Sequence, residues 1–270
     1  MAAVTVERPR PRLIVAAEQI WALSVRATIA TFRNPVNFVP GLIFPLLMAA
    51  VYASQFSRAV DLPAFPEVDS FLQFILPSSI LQAIAFNSAN AGSDMATDIE
   101  TGFFDRLVSS PVARQSVLIG RVAGAAAAAG VQSVFLMIVF LLFGAPVKAG
   151  IAGAVAIVVI STLLAVALSG FGLAVALRTG SSEATQAMFP LVFVVIFISS
   201  AFFPTELMRG WYRSVAEANP FTLIVDPTRE LVISGWSWAE FGQAVGLTLL
   251  VGVVSLGLAY RAYLGRLRAS

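Results

Sequence analysis

Polar and apolar positions in this chain alternate in long blocks. Apolar blocks close to the roughly 20 residues a helix needs to cross lipid are read at 37–56, 71–91, 117–143, 150–177, 184–203 and 240–260. Charged residues fall almost wholly between them. Ahead of the first block, Leu13, Ala17, Ile20, Trp21, Ser24, Thr28 and Phe32 recur at spacings of three and four, with Arg12, Gln19, Arg26 and Arg33 mostly on the other side. That period predicts an amphipathic helix. Arginine on one face and tryptophan on the other place it in a membrane interface; a packed helix of a soluble head would lack further soluble sequence to pack against. Asn34-Pro35 ends it. Residues 1–11, with Arg8, Pro9, Arg10 and Pro11, read as disordered. They show neither the compact apolar core nor the small-residue site of a cleaved signal, so an uncleaved N-terminus is expected.

Inside the blocks, Pro40, Pro45, Pro77 and Pro190 are compatible with membrane helices, which tolerate proline. The second half of the second block is polar, with Gln82, Asn87, Ser88, Asn90 and Ser93. It is expected to face protein or a water-filled cavity, where Asn87 and Asn90 line a path or satisfy their neighbours. The third block carries Gly120-x-x-x-Gly124 and alanines from 125 to 129, a surface on which helices approach closely. The sixth carries Gly242-x-x-x-Gly246. Phe189, Phe193 and Phe197 form one aromatic stripe on the fifth, which either lines a path between two copies of the chain or packs against lipid and core. The stretch 205–237 differs, interspersing Trp211, Tyr212, Phe221 and Trp236 with charges and divided at Asn219-Pro220. It reads as two short helices dipping against the membrane, aromatics at headgroup level.

Composition sharpens the class. The chain is 58% hydrophobic and 12% charged, with mean hydropathy +0.86. A soluble domain carries about a quarter charged residues, so this is an integral membrane protein. It is all-α, with one domain over 1–270: a cytoplasmic N-terminus and interfacial helix at 1–36, six spans within 37–260, and a tail at 261–270. Six spans put both termini on one side. With that side taken as the cytoplasm, inside segments hold twelve basic residues and outside ones five, a positive-inside bias.

Between the second and third blocks lies a cluster of charge: Asp94, Asp98, Glu100, Asp105, Arg106 and Arg114. Lipid cannot hold it, so it is expected as a loop or short helix in water on the cytoplasmic side. Within it, Gly102 permits a tight turn, Phe103, Phe104 and Leu107 offer an apolar knob, and Pro111 redirects the chain. Much chemistry is missing. The chain has no cysteine and no histidine, which removes thiolate and imidazole chemistry and the usual zinc sites. No Gly-Lys-Ser/Thr phosphate loop exists, because the only lysine is Lys148. The spans hold few titratable groups away from their ends, which argues against an ion-coupled carrier and for an energy source outside this chain.

The run Glu100-Thr-Gly-Phe-Phe-Asp-Arg-Leu-Val-Ser-Ser-Pro-Val-Ala-Arg114 resembles the cytoplasmic signature of ABC-2 type permeases, closest to the daunorubicin-resistance-like multidrug exporters. Ala201-Phe-Phe-Pro204, Trp211, Asn219-Pro220-Phe-Thr222 and Arg229 resemble that family's exit from span 5 and its re-entrant turn. The Asp98-Ile-Glu100 run departs from the pattern, since many relatives carry an arginine among the acids. The resemblance implies a transport subunit without its own ATPase in a bacterial plasma membrane. The stretch holding Asp98, Glu100, Gly102, Phe103, Phe104, Asp105, Arg106, Leu107, Pro111 and Arg114 would be a coupling helix docking on a separate ATP-binding subunit. Two such subunits, carrying ATP and magnesium, would pair with two permease chains, identical or related. No cofactor, metal or nucleic acid is implied for this chain. The cargo implied is an amphipathic drug or lipid-like compound, with a glycolipid or polysaccharide as the alternative.

Overall fold

The computed structural model describes residues 12–33, 35–110 and 113–269. Expectations for residues 1–11, Asn34 and Pro111, and for the side chains of Arg12, Leu13 and Arg114, lie outside the described residues. The described residues form helices and turns, with no strand among them. The helices are α1 (Arg12–Arg33), α2 (Pro35–Gln55), α3 (Phe71–Glu100), α4 (Phe103–Ser109), α5 (Arg114–Leu142), α6 (Gly150–Thr179), α7 (Ser182–Gln186), α8 (Phe189–Phe197), α9 (Gly210–Glu217), α10 (Pro220–Ile233) and α11 (Trp238–Ala269). α2, α3, α5, α6 and α11 each hold a stretch long and apolar enough to cross a membrane, while Ser182–Phe197 is a shorter apolar stretch.

α3 is the buried axis, packed on by α2, α5, α6, α7 and α10. Ser70 caps its start by accepting from the Gln73 amide at 3.2 Å. Close approach depends on glycine where α3 crosses α6: a Cβ on Gly92 would stand 2.6 Å from the backbone of Gly172. The Gly120/Gly124 pair of α5 also receives a neighbour, and that neighbour is α1. A Cβ on either glycine would strike Leu23 or Ala27, and the Thr28 hydroxyl donates to the Gly124 carbonyl at 3.3 Å. The amphipathic helix therefore lies along α5, with Trp21 on its exposed side. Gly242 and Gly246 of α11 meet nothing within 4 Å.

Three elements differ from their sequence expectation. α3 continues nine residues past the expected end at Ala91, to Glu100. Asp94 and Asp98 are one turn apart on its surface and pair with Arg121 of α5, so the acids extend the helix and do not interrupt it. The expected tail after Tyr260 is the end of α11, held by Tyr263, which is buried among apolar side chains. The expected span 184–203 is broken into α7, α8 and turns. Pro190, near the start of α8, has no N–H to donate and favours a new helix start there. The broken segment follows α3 lengthwise. Ser182 donates its amide to the Glu100 carboxylate at 2.7 Å, and the Ala201 carbonyl accepts from the Ser78 hydroxyl at 2.6 Å. Those two marks on α3 are about 33 Å apart at 1.5 Å per residue, close to the thickness of a hydrocarbon core.

Candidate functional site

Gly102 ends α3 in the left-handed conformation (φ +67°), where a side chain would be strained, and turns the chain into α4. The Ser110 hydroxyl closes the other end on the Leu107 carbonyl at 2.6 Å. Seven residues make two turns, so α4 has one face toward the bundle and one away. The inward face is Phe104, 1% exposed. It belongs to a buried cluster with Met95, Ile99, Leu118, Leu173 and Tyr263, and its ring meets that of Tyr263 edge-on at 6.2 Å. That cluster joins α4 to the ends of α3, α5, α6 and α11. The outward face is Asp105, Arg106 and Ser109, all exposed, with Leu107 half-buried.

Other groups hold α4 in place. The Arg26 guanidinium lies 4.2 Å from the centre of the Phe103 ring and 3.6 Å from Asp98. Arg121 pairs with Asp98 and, at 3.6 Å, with Asp94. The Gln19 side chain accepts from the Ala113 amide at 2.9 Å, just past α4. α1 therefore grips both ends of this element. Of the residues singled out by sequence, Gly102, Phe103, Asp105, Arg106 and Leu107 come together on α4. Asp98 and Glu100 are turned to intramolecular work, on Arg121 and Ser182. Phe104 is not an outward knob; it is the anchor beneath. Sequence reading missed Arg26, Arg121, Gln19 and Tyr263. A signal for Arg121 was available: an arginine just inside an apolar block, with acids four apart just past the end of the preceding one.

At the far end of α3 the broken segment is held by side chains. A helix terminus in apolar surroundings leaves carbonyls that need partners. Asn219 donates to the Val195 and Ile198 carbonyls at 2.7 and 3.2 Å while its oxygen caps α10 on Phe221 N at 2.8 Å. Tyr212 donates to Phe197 at 2.8 Å, and Arg229 to Ser200 at 2.7 Å. Arg229 is 4% exposed and also reaches the Phe74 carbonyl at 3.1 Å and Asp226 at 2.6 Å. Burial pushes its guanidinium below the ordinary arginine range, and Asp226 pulls it back. Pro220 opens α10, and Pro204 precedes the turn at Thr205–Leu207. Trp211 is exposed.

The aromatic stripe is packed. Phe193 stacks on Phe197 at 4.2 Å, Phe189 and Phe193 meet Phe86 of α3 at 4.9 and 6.1 Å, and Phe193 meets Phe44 of α2 at 6.3 Å. Asn87 donates to Gln132 at 2.8 Å, leaving Asn87 Oδ1 and Gln132 Nε2 without a protein partner. Both residues, with Asn90, line a cavity of about 40 Å³, enough for a few waters and too small for an amphipathic cargo.

A bundle of apolar helices with a charged short helix at one end and side-chain-held turns at the other defines a multi-pass membrane protein. Its family follows from comparison: the ABC-2 type transporter family matches residues 18–233, and the chain belongs to it. Members are membrane transport subunits whose ATPase is a separate chain. The chain is similar to the daunorubicin resistance ABC transporter permease protein DrrB1 of Streptomyces coeruleorubidus, 24% identical over 260 residues, covering 95% of this chain and 89% of that protein. It is similar also to the putative transport permease ycf38 of Porphyra purpurea, 25% identical over 252 residues (88% and 86% covered), and to that of Cyanophora paradoxa, 24% identical over 250 residues (88% and 84%).

Proposed function

We propose that this chain is the membrane subunit of a bacterial ABC exporter and that α4 is where a separate ATP-binding subunit pushes. The observation that carries it is the two-sidedness of α4. Its outer face offers Asp105 and Arg106 to a partner, and its inner face seats Phe104 in the ends of four long helices. A displacement of α4 is therefore shared among α3, α5, α6 and α11 at once, a rigid-body route from ATPase to spans. Two permease chains and two ATPase chains would complete the transporter. Residues 182–201 make the fifth of six crossings as a broken helix, and both termini are cytoplasmic. The cargo is an amphipathic drug or lipid-like compound, supported by the daunorubicin-resistance relative. With the polar cavity at Asn87 and the aromatic stripe closed, cargo passage requires the helices to separate.

The test is a charge reversal on the outward face. Asp105→Arg with Arg106→Glu should leave membrane insertion and melting temperature unchanged, while cargo-stimulated ATP hydrolysis in vesicles holding both subunits falls about tenfold or more, as expected when interface charges face like charges. Unchanged stimulation sinks the reading. A panel of amphipathic drugs and glycolipids in the same vesicles separates the two cargo classes by which one accelerates hydrolysis.

A further inference from the structure

Three arginines converge where α6 and α11 end. Arg178 stands in the last turn of α6, and Arg261 and Arg266 stand on α11. With Leu177, Ala262, Gly265 and, from α4, Asp105, they line an open groove of about 500 Å³. One carboxylate against three guanidinia leaves the groove positive. Arg178 and Arg261 are exposed and form no ion pair among the described residues. Arg266 is fixed in place, 3.4 Å from the Leu177 carbonyl and 5.9 Å from the centre of the Phe104 ring.

An apolar face leads away from the groove. Gly246, Leu250, Val254, Gly257 and Arg261 follow one another at spacings of three and four on α11, so they share one side of the helix. Leu250 and Val254 are more than half exposed, and a Cβ on Gly246 or Gly257 would meet nothing within 4 Å. From Gly246 to Arg261 the track runs about 22 Å at 1.5 Å per residue. It is a shallow apolar strip, unfilled by protein, ending in a cationic groove.

We propose that this groove binds an anionic phospholipid. The phosphodiester sits among Arg178, Arg261 and Arg266, and an acyl chain lies along α11 over Gly257. Guanidinium suits phosphate because it can donate two parallel hydrogen bonds, and basic pockets at the membrane ends of helices select anionic headgroups. The apolar strip chooses the occupant. An acidic soluble protein could meet the arginines but not the face of α11 within the membrane, and free phosphate would have no use for it. Because Asp105 and the Arg266–Phe104 contact border the groove, a bound lipid also steadies the seat of α4. None of this depends on the cargo.

The experiment is lipid competition on the purified full chain. Detergent-solubilised protein is offered equal phosphatidylglycerol and phosphatidylcholine, and retained lipid is weighed by native mass spectrometry. The wild type should retain phosphatidylglycerol preferentially. Arg178→Gln with Arg261→Gln, both at exposed positions, should cut that preference about 25-fold, since each arginine near an anionic surface contributes roughly a factor of five. Gly257→Leu, which keeps every charge, should lower retention of both lipids. Arg209→Gln, on an arginine elsewhere, should change nothing. Equal retention of the two lipids by the wild type, or a preference that survives the double substitution, overturns the proposal. So does displacement by inorganic phosphate or glycerol phosphate as effective as by intact lipid, which would mark a soluble-anion site. Intact lipid preference with lost binding of the ATPase subunit in the double variant would assign the groove to a protein partner and likewise overturn it.

Discussion

Phe104 decides which substitutions can report on α4. At 1% exposure its truncation opens a cavity among the helix ends, and Phe104→Ala should destabilise the protein by about 3–5 kcal/mol, read as a lower melting temperature in detergent. Loss of transport in that variant would then say nothing about docking, whereas Asp105 and Arg106 can be changed without touching the core. Arg121 follows the same logic with charge. It is largely buried between Asp94 and Asp98, so Arg121→Ala leaves Asp94 without its ion pair and Asp98 with Arg26 alone, and should cost about 3 kcal/mol. The triple variant Arg121→Met, Asp94→Asn, Asp98→Asn should recover much of that loss in the same thermal assay. The kinds of residue on α4 were legible in the sequence, because charge cannot sit in lipid and Gly102 marks a turn. Their directions were not. Which phenylalanine of an adjacent pair faces inward depends on the helix phase of α4, and seven residues carry too little period to fix it.

At the scale of elements, α8 stands out because its end is held by side chains from α9 and α10. Asn219→Ala strips partners from two carbonyls, and Tyr212→Phe from one. Each loss should cost about 1–3 kcal/mol per unsatisfied group. Amide exchange at residues 199–203 should rise while that of α1 stays put; equal protection in both places would contradict the role assigned to these contacts. The long helices were legible as apolar blocks, and the broken one was not. Hydropathy counts apolar residues but does not see where backbone hydrogen bonds stop, and the partners that make the break tolerable lie in later segments, with Arg229 reaching back 29 residues to Ser200. The extensions of α3 and α11 were missed for a related reason. A length set by lipid thickness ends a span at the membrane surface, while the helix itself ends only where capping and packing change.

For the molecule as a whole, the proposed six crossings with cytoplasmic termini assign each loop to a side. The turn after α2 and the outer face of α4 are separated by the whole length of α3. The chain has no cysteine, so single Ser57→Cys and Ser109→Cys variants, both at exposed positions, give clean reporters. An impermeant maleimide applied to intact cells should label position 57 and not position 109, and inside-out vesicles should reverse the pattern; labelling of both from one side would refute six crossings.

The broken segment carries a mechanical consequence. A continuous helix can slide past its neighbours because its backbone is content with itself. α8 cannot, since its last carbonyls are tethered by Asn219, Tyr212 and Arg229. Residues 189–229 are therefore linked as one body, with left-handed glycines at its flanks, Gly180 (φ +65°) and Gly235 (φ +103°), and one inside it, Gly210 (φ +62°). Gly235 has nothing within 4 Å of where a Cβ would stand, and Gly180 is overlain by Arg266. If that body swings, Phe193 and Phe197 go with it while Phe44 and Phe86 stay, and the stacked rings become the two lips of an opening seam.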